Sequence, residues 1–185
     1  PVTWKISRGY YYGYSAPAAT LWFAEADGEE FVDNDGNSCW VPKGTLFVID
    51  ELYLCNKRFE GLKLTASAQA EKIKSHETEM GLKRVEAGPA DNSIFNKEGG
   101  SSIADDMANV GILFTRSNKG PGSRVLGLQL IRNRLGASLK RPMEQPGLFV
   151  FRGCFHTIRT LPNLSKADKN IEDISTLQED HIDDV

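Results

Sequence analysis

Few side chains in this 185-residue chain combine a type and spacing that suggest chemistry, and most of those are carboxylates. Asp91 sits in Pro89-Ala90-Asp91-Asn92-Ser93, directly after a segment expected to be a strand. A carboxylate at the carboxyl end of a parallel strand is a favoured catalytic position in open α/β sheets. An aspartate that orders a turn is the equally common alternative. His181 and Asp184 have the spacing that places two residues on one helix face. Imidazole and carboxylate together suit a divalent metal, although an exposed polar face has the same pattern. Glu51, beside Asp50, is a further candidate acid or else an outward-facing strand residue.

Other chemistries lack their signatures. No serine lies in a nucleophile-elbow pattern. Gly120-Pro121-Gly122 is followed by Ser123-Arg124 and not by the Gly-Lys-Ser/Thr of a phosphate loop, so no Walker-type nucleotide site is expected. Cys39, Cys55 and Cys154 are too few and too scattered for a zinc pattern or a disulfide framework. They suit a reducing compartment, as buried small hydrophobes.

The formal charge of −3 names no partner, but its distribution is uneven. No acidic residue falls between Asp106 and Glu144, whereas Arg116, Lys119, Arg124, Arg132, Arg134, Lys140 and Arg141 all do. The C-terminal stretch reverses the sign with Asp168, Glu172, Asp173, Glu179, Asp180, Asp183 and Asp184. A solvated basic face is one reading; a phosphate-binding surface beside an acidic metal site is the sharper one.

Hydrophobic content of 40% with 25% charged residues is ordinary for a globular chain, and this length supports one domain with a real core. No apolar run approaches a membrane span, and nothing at the start resembles a signal peptide. Pro1 at the start and Val185 directly after two aspartates lead to the expectation of one domain, 1–185, belonging to a longer protein.

The elements that would position these groups are legible in outline. Trp4 to Ser15 is a strand built on aromatic residues, Tyr10, Tyr11, Tyr12 and Tyr14 among them, and it should form a hairpin with Ala18 to Ala24. Glu25 to Pro42 is turn-rich, a small β excursion or an exposed loop, and Thr45 to Leu54 reads as a buried third strand of an antiparallel meander. Thr65 can cap a helix running to about Met80, with Gly81 as its stop. A strand at Leu82 to Ala87, a helix at Ile103 to Val110 begun by Ser101 or Ser102, and a strand at Gly111 to Phe114 then alternate as parallel neighbours should. Ser123 to Leu135 is an amphipathic helix through Val125, Leu128, Ile131 and Leu135. A strand at Gly147 to Phe151 and a helix at Cys154 to Leu161 follow. Ser165 to Ser175 is expected to be a loop, and Leu177 to Val185 to open a helix.

In this order the segments resemble the nuclease domain of the large terminase subunit of tailed double-stranded DNA bacteriophages. The resemblance rests on Arg8 to Pro17, Ile49-Asp50-Glu51-Leu52-Tyr53, Pro89 to Phe95 and Gly99 to Ala104. It continues through Leu148 to Phe151, Thr157 to Pro162 and Glu179-Asp180-His181-Ile182-Asp183-Asp184. It implies an RNase H-like α/β fold, with a mixed sheet of an antiparallel meander and parallel strands flanked by helices. It also implies a metal-dependent endonuclease that cuts concatemeric DNA during packaging. Two Mg²⁺ or Mn²⁺ ions would be held by acids from the first strand, a later strand and a C-terminal helix. Asp91 matches the second acid and Asp184 the third, with His181 and Asp183 adjoining. The implied partners are double-stranded DNA and, in a full-length protein with an ATPase motor domain, the portal and the small terminase subunit. The implied setting is the host cytoplasm, with the isolated domain a monomer.

The first acid does not carry over. Relatives place an aspartate between an aromatic residue and a Trp or Tyr followed by Gly, and this chain has Tyr11 there. A phenol with a pKa near ~10 is a poor bridging ligand. The substitution is either engineered or accidental, or it marks a natural relative whose site is lost or rearranged. The expectation is impaired cutting; the alternative is an inactive module that binds DNA or the packaging motor.

Overall fold

The computed structural model describes residues 3–33, 35–57, 60–97 and 99–163. Its centre is β1 (Lys5–Tyr11), where strand alternation sends successive side chains to opposite faces. β2 (Ala18–Glu25) pairs antiparallel with it from Lys5↔Glu25 to Tyr11↔Ala19. β5 (Leu46–Leu54) pairs antiparallel with β2 from Ala18↔Leu54 to Glu25↔Leu46, with a bulge between Trp22 and Phe23. The expected meander is therefore present. The excursion between its second and third strands is a small hairpin of β3 (Phe31–Val32) and β4 (Ser38–Cys39).

Parallel strands extend the meander at both edges. β6 (Glu86–Ala90) lies beside β1, β7 (Thr115–Arg116) beside β6, and β8 (Leu148–Val150) beside β5. The six-stranded order is β7-β6-β1-β2-β5-β8, the mixed RNase H-like sheet that was expected.

Two strands differ from the sequence reading. β6 starts later than Leu82 and includes Gly88-Pro89, a pair that reads locally as a break. The glycine is needed inside the strand: a Cβ there would stand 2.0 Å from the Arg8 carbonyl oxygen, at the register shift between Arg8 and Tyr10. Gly111 belongs to the preceding helix as its left-handed C-cap (φ 97°), so β7 begins only at Thr115.

Helices cover both faces. α1 (Ala66–Glu79) starts at Thr65, whose hydroxyl accepts from Ala68 N, and α2 (Ile103–Val110) starts at a capping box of Ser102 and Asp105. Both pack over the β1 side chains Tyr10 and Arg8, in a core with Trp22, Ile73, Ile94, Met107 and Ile112. On the opposite face, α3 (Ser123–Ser138) and α4 (Phe155–Thr160) flank a smaller core of Ala19, Leu21, Val48, Leu148 and Cys154, against which Tyr11, Tyr53 and Ile131 pack. α3 runs past its expected end and turns inward through Arg134, Ala137 and Ser138, leaving Leu135 exposed. Of the cysteines, Cys154 is a buried small residue, whereas Cys39 and Cys55 are half-buried. No helix among the described residues is long and apolar enough to cross a membrane.

Buried Arg8 ties the first layer together. Its Nη1 donates to Glu77 Oε1 at 2.7 Å and its Nη2 to the Leu113 carbonyl at 3.2 Å. Trp22 Nε1 donates to the same Glu77 oxygen at 2.9 Å. One carboxylate on α1 thus fixes two adjacent strands.

Candidate functional site

β1 and β6 run parallel as neighbours, with Tyr10 opposite Ala90. Their carboxyl ends therefore open onto the same space, about one strand spacing (~4.8 Å) apart. Tyr11 is the last residue of β1, and Asp91 is the first after β6. Both line a cleft of about 640 Å³, with Ser117, Asn118 and Lys119 from the connection after β7 and Ser123 and Arg124 from the first turn of α3. The sequence-predicted pair Tyr11 and Asp91 is thus brought together, along with two of the predicted cations.

Asp91 is held at both oxygens. Its Oδ1 accepts from Ser93 N at 2.7 Å, as the cap of a short 3-10 turn over Asn92–Phe95. Its Oδ2 accepts from Lys119 Nζ. Burial pushes the carboxyl's pKa upward. Hydrogen bonds from Lys119, from the Ser93 hydroxyl and from the Ser93 N–H, together with the Lys119 charge, outweigh that and hold it at about 2. Asp91 is a fixed anion at neutral pH.

The connection that carries Lys119 is itself anchored to the Asp91 strand end. Ser117 N donates to the Ala90 carbonyl at 3.2 Å, and Asn92 Nδ2 donates to the Ser117 carbonyl at 3.1 Å. The turn then closes through Ser123 N to the Gly120 carbonyl at 3.0 Å, and α3 begins from a left-handed Gly122 with no side-chain cap. Uncapped first-turn N–H groups and the helix dipole favour an anion at this end. Nothing in the local sequence links Lys119 to Asp91, since the pairing depends on two parallel strands.

The other predicted residues lie elsewhere. Glu51 is on β5, across β2 from Gly9, and its carboxylate anchors the start of α4. It accepts from His156 N at 2.5 Å, Thr157 N at 2.9 Å and Thr157 Oγ1 at 2.8 Å. Arg134 donates to the carbonyls of Gly44 at 2.7 Å and Gly147 at 3.3 Å, and Arg141 to those of Ser138 and Lys140. These two arginines secure the α3 end of the fold. Arg116 lies over the Phe95 ring at 4.6 Å. Arg132 and Lys140 border a separate shallow groove at the far end of α3, with Arg132 ~12 Å along the axis from Arg124 at 1.5 Å per residue. His181, Asp183 and Asp184 lie outside the described residues.

These residues can be tested against the two-ion centre that the resemblance implies. Among the described residues, no three His, Cys, Asp or Glu side chains gather where they could hold a metal. Asp91 is the one carboxylate among the cleft residues, it faces Lys119 and Arg124, and Tyr11 offers a phenol. The described residues do not by themselves fit two divalent ions. What they form is a cleft with two cations to one anion, suited to a phosphate backbone.

No family model and no curated protein matches the chain. Solved structures do. The large terminase of a thermophilic bacteriophage superposes with a TM-score of 0.62 at 15% identity, covering 98% of this chain and 38% of that one. A second crystal form of the same terminase gives 0.61 at 14% identity, covering 98% and 37%. The P22 large terminase nuclease domain gives 0.57 at 11% identity, covering 98% of this chain and 77% of that one. The chain thus spans 38% of the length of the thermophilic phage protein, well short of the whole. At these identities it is the fold that the likeness establishes, an RNase H-like fold shared with the nuclease domain of phage large terminases.

Proposed function

We propose that the chain is the nuclease-type domain of a phage DNA-packaging terminase and receives double-stranded DNA across the cleft between the ends of β1 and β6. The observation that carries this is the convergence of Tyr11 and Asp91, at the two strand ends of this fold, on an opening with a net positive lining. Lys119 and Arg124 meet backbone phosphates there, and Arg116, Arg132 and Lys140 extend the contact outside it. Asp91, with Asp184, His181 and Asp183, is the proposed ligand set for Mg²⁺ or Mn²⁺. Tyr11 leaves the first acidic position without a carboxylate, so hydrolysis of concatemeric DNA is weak or absent. In a full-length protein the partners are the portal and the small terminase subunit, in the host cytoplasm.

Two measurements test the reading. Duplex binding followed by fluorescence anisotropy should weaken linearly with log salt, and Arg124→Gln should lower that slope by about 1. Binding that ignores salt and Arg124 would remove the cleft from the proposal. Plasmid cleavage in Mn²⁺ should be slight for the chain as it stands and clear for Tyr11→Asp, whereas robust cutting without the substitution would refute impairment. The second reading, an inactive DNA-binding or motor-contact module, is favoured by the Lys119–Asp91 pair. It expects no cutting even from Tyr11→Asp.

A further inference from the structure

The Asp91 carboxylate is doubly engaged, by Ser93 on one oxygen and by Lys119 on the other. The Lys119 side chain reaches it from a connection pinned at Ser117 to both Ala90 and Asn92, so the pairing is built into the fold. Arg124 stands on the same lining, where Asp91 is the one carboxylate among the described cleft residues. A divalent cation approaching Asp91 has to displace an ammonium group. A phosphate ester meets the opposite situation, with an ammonium, a guanidinium and an uncapped helix start before it.

We propose that Lys119 is the resident cation of this cleft: its ammonium occupies Oδ2 of Asp91, competes there with a divalent ion, and presents a fixed positive charge to a phosphodiester while no ion is bound. The inference rests on the cleft assigned above, but it concerns ion selection and not cutting. It gives Tyr11 and Lys119 complementary parts. One offers a phenol where a carboxylate is expected, and the other brings positive charge to the Asp91 carboxylate.

The test is Mn²⁺ binding to the full chain, read from loss of the free-ion electron paramagnetic resonance signal, with no DNA present. Four proteins are compared in the Tyr11→Asp background: Lys119 retained, Lys119→Met, Lys119→Arg, and Lys119→Met with Asp91→Asn. Lys119→Met should bind Mn²⁺ roughly ten-fold more tightly than the protein retaining Lys119, equivalent to about 1.4 kcal/mol. Lys119→Arg should stay as weak as Lys119, and Asp91→Asn should abolish the gain. Equal affinity for Lys119 and Lys119→Met would overturn the proposal. So would an arginine variant as tight as the methionine one, or a gain that survives Asp91→Asn. Lys119 is half exposed, and circular dichroism confirms that each variant is folded before titration. Because DNA is absent, failure of DNA docking leaves this result unaffected. A Mn²⁺ gain without any duplex binding would sink only the functional reading.

Discussion

Tyr10 and Tyr11 are consecutive, chemically identical and on the same strand, yet the molecule uses them in opposite ways. Tyr10 is almost fully buried, stacked on Phe114 with centroids 4.8 Å apart. Its hydroxyl donates to Gln69 Oε1 at 2.7 Å, and burial pushes its pKa well up. Tyr11, one residue on, turns to the other face and borders the open cleft. Each tyrosine also has an ion pair on its side of the sheet. Arg8–Glu77 stands behind Tyr10 with both side chains largely dry, and Lys119–Asp91 stands beside Tyr11 with the lysine half in solvent. The difference separates architecture from function. A buried pair is held because breaking it leaves a stranded charge. A half-exposed pair contributes little to stability, so its charges are available to a ligand.

The largest effect should come from the buried pair. Glu77→Ala would leave the Arg8 guanidinium uncompensated and strip the acceptor from Trp22, at a cost of about 3–5 kcal/mol. Urea denaturation reads this as a lower midpoint, with duplex binding per folded molecule unchanged. A shift under about 1 kcal/mol would show that the Arg8 pair is not the brace described above. Next in size is Tyr10→Phe, which leaves Gln69 Oε1 buried without its donor and should cost about 1–3 kcal/mol. Lys119→Met is the contrasting case, expected to change stability by no more than ~1 kcal/mol. If Lys119→Met destabilised as much as Tyr10→Phe, the division between the two faces would fail.

How much of this is legible in the sequence depends on whether the determining interaction is local. β1, β2 and β5 are rich in aromatic and β-branched residues, and the caps at Thr65 and Ser102 announce α1 and α2. Those elements and their order were legible. β6 was misplaced because Gly88-Pro89 looks like a turn, whereas the glycine answers to a carbonyl on another strand, at Arg8. The position of Asp91 after a strand is legible, and the family pattern singles out Tyr11; the structure places both on one cleft. The pairing of Lys119 is not legible: its charge groups it with the other cations, but its partner lies on a different strand end. Arg134 and Arg141 carried the same local signal and were spent on backbone carbonyls. Charge alone cannot distinguish a clamp from a ligand-binding group.

The finest test of the comparison is the titration of Asp91. Its carboxyl is held at about 2, below the ordinary 3.8. A carboxylate whose pKa is depressed by folding adds stability above its unfolded pKa and loses it as pH falls through the folded value. The Asp91 contribution is therefore complete above about pH 4 and disappears toward pH 2. Removing the ammonium in Lys119→Met should move the carboxyl back toward its ordinary value. The remaining donors at Ser93 keep it somewhat below, because they bond the charged form. A carboxyl-carbon NMR titration reads this directly, and the stability that Asp91 loses between about pH 4 and pH 2 should become smaller in step with the reduced shift. An Asp91 that still titrates near 2 without Lys119 would mean that the Ser93 turn alone holds the charge. Lys119 would then be an ordinary surface cation, and the contrast between the two ion pairs would rest on burial only.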